Sequence, residues 1–168
     1  MFQKGDFIVY GSTGVCRVED IVSLDDLPGF DDERLCYKLS AVYSRETIYT
    51  PVDTSIFMRP ILTVEEAQEL IEKIPSIPEG DCSTGSQRLR VEKYRECIRS
   101  HKCEDLIYVI KSIRRRNKKR EESGRRPDQT DQQYFKQAQE LLHGELAVSL
   151  NIPYTDVSDY IKNSVASA

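Results

Sequence analysis

Phe7-Ile8-Val9-Tyr10-Gly11-Ser12-Thr13-Gly14-Val15-Cys16-Arg17-Val18-Glu19-Asp20-Ile21-Val22 is the stretch whose reading decides the fold of the first part of this chain. A short apolar run stops at a cluster of breakers and then returns, apolar at 16 and 18 and again at 21 and 22. Partial period-two alternation on both sides of a Gly-rich turn reads as two strands joined tightly. Further on, Leu35, Tyr37 and Leu39 share one face, and Thr47-Ile48-Tyr49-Thr50-Pro51-Val52 is β-branched and aromatic. A proline has no N–H to give to a sheet, so Pro51 confines that last segment to an edge or a strand end. Four or five short strands with no helix between them predict a small antiparallel SH3-like or Tudor-like β-barrel.

Beyond Pro60 the period becomes helical. Thr63-Val64-Glu65-Glu66 reads as a capping box, with Ala67, Leu70, Ile71 and Ile74 in one stripe behind it. Pro75 stops that helix, and 75–86 reads as a polar linker and the boundary between domains. From Ser86 the chain is helical to its end, with Val91, Tyr94 and Ile98, then Leu106, Val109, Ile110 and Ile113, then Phe135, Ala138, Leu142 and Leu146 as successive inward faces. Thr130 is expected to cap the third of these helices, and Thr155 a short last one. The expected fold is therefore α+β in two domains. Residues 1–62 form the barrel, 63–86 a connecting helix and linker, and 87–168 a compact all-helical bundle.

The 168 residues carry a net charge of −4, yet the halves differ sharply. Residues 1–84 hold seven basic and sixteen acidic side chains, and 85–168 hold seventeen basic and twelve acidic. Such asymmetry points to different partners for the two halves. Nine cations stand between Lys111 and Arg126 (Lys111, Arg114, Arg115, Arg116, Lys118, Lys119, Arg120, Arg125 and Arg126), and Arg88, Arg95, Arg99 and Lys102 form a second stripe. Cations at this density repel one another unless an anion relieves them, and a helix end explains only a few, so a phosphate-bearing partner is expected. Phosphate contacts of this kind are largely independent of base sequence.

Other chemistries find little support. There is no nucleophile elbow, P-loop, dinucleotide fingerprint or His-Glu-x-x-His, so no enzymatic activity and no cofactor is expected. Five cysteines without a tight framework fit reduced thiols, with Cys16 and Cys36 as core residues. Cys97-x-x-x-His101-x-Cys103 puts 97 and 101 on one helix face, but a structural zinc site wants four ligands. The spacing from Glu145 through Asn151 to Ile161 resembles a helix-turn-helix, but Asp156 and Asp159 would face phosphates, which favours packing over reading DNA. No apolar run approaches the roughly 20 residues that span a bilayer, and Met1 to Lys4 leads into no signal core, so a cytoplasmic protein is expected.

The ordered pattern resembles the CarD/CdnL-like family of bacterial transcription regulators. The residues that carry the resemblance are Phe2, Gly5-Asp6, Ile8-Val9-Tyr10, Gly14-Val15, Val18 and Ile21 in the opening hairpin. Tyr37-x-Leu39, Ile48-x-x-Pro51-Val52, Met58-Arg59-Pro60-Ile61, Tyr94-Arg95-Glu96, Arg115-Arg116-Asn117-Lys118 and Ala138 to Ala147 follow in order. The resemblance implies a Tudor-like domain that binds the RNA polymerase β subunit through an edge strand, here Thr47, Ile48, Tyr49, Thr50 and Pro51. It also implies a helical domain that touches promoter DNA and steadies the open complex, in a protein expected to be monomeric. Three places depart from the family. The Tyr-Pro-x-His-Gly turn is Tyr10-Gly11-Ser12-Thr13-Gly14, the loop before the long helix is longer and carries Arg125 and Arg126, and Arg90 falls near the place of the DNA-wedging tryptophan. Arg90 is thus expected to be an electrostatic minor-groove contact. The alternative reading is a Tudor-like adaptor whose basic bundle binds RNA or an acidic protein.

Overall fold

The computed structural model describes residues 1–29, 33–80 and 86–166. Cys82 and the centre of the expected linker lie outside the described residues. The chain divides into two units, Met1–Ile61 and Leu62–Ala168.

The first unit is one antiparallel sheet of β1 (Phe7–Tyr10), β2 (Gly14–Ser23), β3 (Leu35–Ala41), β4 (Thr47–Pro51) and β5 (Met58–Pro60). Its order is β4-β3-β2-β1-β5, so β4 and β5 are its two edges and the sheet is open. Among the described residues the two end strands do not pair with each other, so the sheet does not close into the expected barrel. The turn from β1 to β2 closes with the Thr13 N–H on the Tyr10 carbonyl, and Gly11 and Gly14 supply its positive φ of 44° and 89°. The register of β2 against β3 shifts between Val18 and Asp20. One extra residue there changes the alternation phase, which is why the apolar positions run 16, 18 and then 21. Ile8, Tyr10, Cys16, Val18, Tyr37 and Leu39 are the buried cluster of this unit. Burial pushes the Cys16 thiol up to about 11, with Glu46 adding to the shift.

The second unit contains α1 (Val64–Lys73), α2 (Gln87–Arg99), α3 (Cys103–Glu122), α4 (Gln129–Leu150) and α5 (Val157–Ala166). The capping box forms, since Thr63 Oγ1 accepts from the Glu66 N–H and Glu66 Oε1 accepts from that of Thr63. Far from being a connector, α1 buries Ala67, Leu70 and Ile71 in the same core as Tyr94, Leu106, Val109, Ile113, Leu142 and Leu146. The division therefore falls after Ile61 and not within 75–86. Several helix ends also differ from the expected ones. Asp128, not Thr130, caps α4, which leaves Asp131 one turn inside it. Thr155 lies within a 3-10 turn, and α5 begins at Val157. His101 follows α2 with φ of 57°, so it shares no helix face with Cys97, and Lys102 caps α3 instead of extending the Arg88, Arg95 and Arg99 stripe. Val157 is fully buried and α5 packs on α1 and α4, the role expected for the apolar spacing at the C-terminus.

Candidate functional site

In the first unit the unpaired side of β4 is the site to consider. Ala41 N–H donates to the Glu46 carbonyl and Val52 N–H to that of Leu35, which sets the parity of the β3–β4 ladder. Residues opposite one another in an antiparallel pair alternate between exchanging both hydrogen bonds and exchanging none. Ile48 and Thr50 therefore spend their main-chain groups on β3, whereas Thr47, Tyr49 and Pro51 turn theirs outward. Pro51 occupies a position whose N–H would have faced outward, so its missing donor leaves the sheet intact. Tyr49 is 42% exposed, while Thr50 is buried and its Oγ1 accepts from the Tyr10 hydroxyl at 3.3 Å. The opposite edge, β5, has only three residues and a proline at an outward position, Pro60.

The second unit sorts the expected DNA-binding cations into three groups. In the first, Arg90 and Arg116 converge on Asp131, which is fully buried. Arg90 Nε donates to Asp131 Oδ1 at 3.1 Å, the Tyr94 hydroxyl to the same oxygen at 3.2 Å, and Arg116 Nε to Oδ2 at 2.7 Å. Asp128 adds a second carboxylate 3.7 Å from Arg90. Burial works against the Arg90 charge, but the adjacent Asp131 carboxylate outweighs it and holds the guanidinium more firmly protonated than usual. Partial burial raises Asp128, yet the N–H groups of Asp131 and Thr130 and both guanidinia bring it below the usual carboxylate range. This clamp joins α2, α3 and α4. It corrects the expectation that Arg90 is an open minor-groove contact and Arg116 an open phosphate contact: only 13% and 18% of their side chains are accessible.

In the second group each cation has a partner nearer the surface. Lys111, expected as a phosphate contact, instead donates from Nζ to the carbonyls of Ile74 at 2.8 Å and Ile77 at 2.6 Å and so closes the end of α1. Arg115 faces Glu79, Arg88 pairs with Glu92 along α2, Arg95 Nε donates to the Tyr134 hydroxyl, and Arg114 lies over the Phe135 ring. Arg120 Nε donates to the Arg126 carbonyl at 2.7 Å.

The third group is Arg99, Lys118, Lys119, Arg125 and Arg126, all exposed and without a side-chain partner among the described residues. Four of these are gathered at one place by the end of α3. Gly124 has φ of 72°, its N–H donates to the Glu121 carbonyl, and the Arg125 N–H donates back to that of Arg120. That six-to-one and five-to-two pair of bonds reverses the chain and brings Arg125 and Arg126 beside the last turn of α3.

Sequence reading missed Asp131 and Glu145, yet both stand on the inward stripe of α4 with Ala138, Leu142 and Leu146. An acid on an apolar stripe demands partners, and that is the signal that marks them. Glu145 finds the Leu62 N–H at 2.9 Å and the Cys103 thiol at 3.3 Å.

Among the described residues no helix is long and apolar enough to cross a membrane. No curated protein matches the chain. Residues 2–62 do match the CarD-like/TRCF RID domain family, which spans the whole of the sheet just described. The first unit of the chain accordingly carries a CarD-like/TRCF RID domain.

Proposed function

We propose that this protein is a non-catalytic transcription regulator acting in the cytoplasm. Its RID domain binds the RNA polymerase β subunit through β4, and its helical unit holds promoter DNA by phosphate contacts near the end of α3, which modulates open-complex stability. The observation that carries the reading is an RID domain whose longer edge strand turns the main-chain groups of Thr47 and Tyr49 outward. An exposed edge of this kind adds a partner strand by main-chain pairing, with a side chain such as Tyr49 as an anchor. The DNA part rests on the four gathered cations, which suit a phosphate backbone and would make binding strongly salt-dependent.

The parity of β4 supplies the test. Tyr49→Pro removes an outward N–H that β3 does not use, so the domain should stay folded while retention of the β subunit by the full chain falls roughly tenfold or more, the loss of about one good hydrogen bond and its anchor. Thr50→Pro instead breaks a ladder bond to β3, and its main effect should be a lower melting temperature. Wild-type retention by a folded Tyr49→Pro variant would place the interface elsewhere.

A further inference from the structure

The stretch that follows α1 does more than connect. The 3-10 turn Ile74–Ser76 and the residues up to Gly80 lie along one face of α3. Lys111 Nζ gathers the carbonyls of Ile74, Pro75 and Ile77 at 2.8, 3.5 and 2.6 Å, and the Gly80 N–H donates to Ser112 Oγ at 2.8 Å. Position 80 is also tight, because a Cβ there would run into the Tyr108 hydroxyl and require that side chain to shift. Tyr108, Lys111, Ser112 and Arg115 share a helix face by their three- and four-residue spacing. The backbone is thus pinned on both sides of Glu79, and Glu79 Oε2 stands 3.8 Å from Arg115 Nε.

We propose that Glu79 is an internal competitor of nucleic-acid phosphate for Arg115, so that the strap of residues 74–80 weakens DNA binding by the basic end of α3. This rests on the DNA-binding reading above. Side-chain exposures of 45% for Arg115 and 37% for Glu79 make the pair a surface one, so Arg115 comes within reach of a phosphate once the carboxylate is removed. What gives the carboxylate its effect is position: its neighbours hold it beside the cation, and no freely diffusing anion has that advantage. Lys111 is different. Its ammonium is taken by several carbonyls of the strap and fixes the device without taking part in the competition.

The test measures binding of the full chain to a short labelled duplex over a salt series, for wild type, Glu79→Gln, Glu72→Gln and the double variant Glu79→Gln/Arg115→Ala. Glu72, an exposed residue of α1 with no partner among the described residues, controls for the loss of any one negative charge. Glu79→Gln should bind several-fold more tightly and steepen the salt slope by about 0.9, the increment of one added phosphate contact. Adding Arg115→Ala should abolish both gains, and Glu72→Gln should leave the slope unchanged. Equal slopes for Glu79→Gln and Glu72→Gln would overturn the competition. Binding by Glu79→Gln where wild type shows none would support it in its strongest form. Absence of binding by both would overturn the DNA-binding reading and the competition together, whereas binding by wild type with no response to Glu79→Gln overturns the competition alone.

Discussion

Asp131→Ala should destabilise the helical unit by about 3–5 kcal/mol, because it takes away the buried carboxylate that two inward-facing guanidinia share. Both Asp131 oxygens are in use, by Arg90 and Tyr94 on one side and Arg116 on the other. Removing the acceptor takes a hydrogen bond from three side chains on two other helices at once. The partial exposure of Arg90 and Arg116 lets water recover some of that loss, which favours the lower end of the range. For a domain of this size the melting temperature should drop by on the order of 10 °C. Asp131→Asn keeps one acceptor oxygen and should fall between wild type and alanine. Urea denaturation followed by far-UV circular dichroism measures the effect, and a loss below about 1 kcal/mol would show that the clamp relaxes without cost. Arg116→Ala should lose stability by the same mechanism, so a fall in DNA affinity in that variant would report on folding as much as on phosphate contact.

The quadruple change Lys118, Lys119, Arg125 and Arg126 to alanine should have the largest effect on DNA binding at the smallest cost in stability. None of these side chains has a partner among the described residues, so truncation breaks no internal contact. If each holds one phosphate, the log–log salt slope should fall by roughly 3.6, and at about 0.1 M salt the affinity should drop on the order of a thousandfold. Every duplex sequence should suffer alike, since these are backbone contacts. Fluorescence anisotropy across a salt series, with thermal melts alongside, decides the matter. A quadruple variant that melts normally and keeps the wild-type slope would remove the end of α3 from the interface.

The segmentation of the chain was legible without a structure because its causes are local. Capping at Thr63 and Glu66 operates within one helical turn, as does the stop at Pro75. The alternation that builds β1 to β4 spans only a few residues, and it correctly puts Cys16 and Cys36 in the interior. Pro51 by itself announces an edge strand, and the order of motifs from Phe2 to Val52 points to the family of the first domain. Charge counting likewise separates an acidic half from a basic one.

The tertiary structure decided which of those charges are available. Arg90 lies 41 positions from Asp131 and Arg116 lies 15, and Lys111 reaches back 37 and 34 positions to the carbonyls of Ile74 and Ile77. Pairings over such separations depend on how helices pack, and no periodicity of a few residues encodes them. Two arginines and a lysine that look identical in sequence to Lys118, Lys119, Arg125 and Arg126 thereby become structural. Parity in β4 is of the same kind. Sequence marks 47–51 as a strand, but the register against β3 selects Tyr49 over Thr50 as the outward residue, and a slip of one position would exchange them. Strand and helix propensity act along the chain, whereas exposure of a donor or a charge is settled only when another segment covers it or leaves it open.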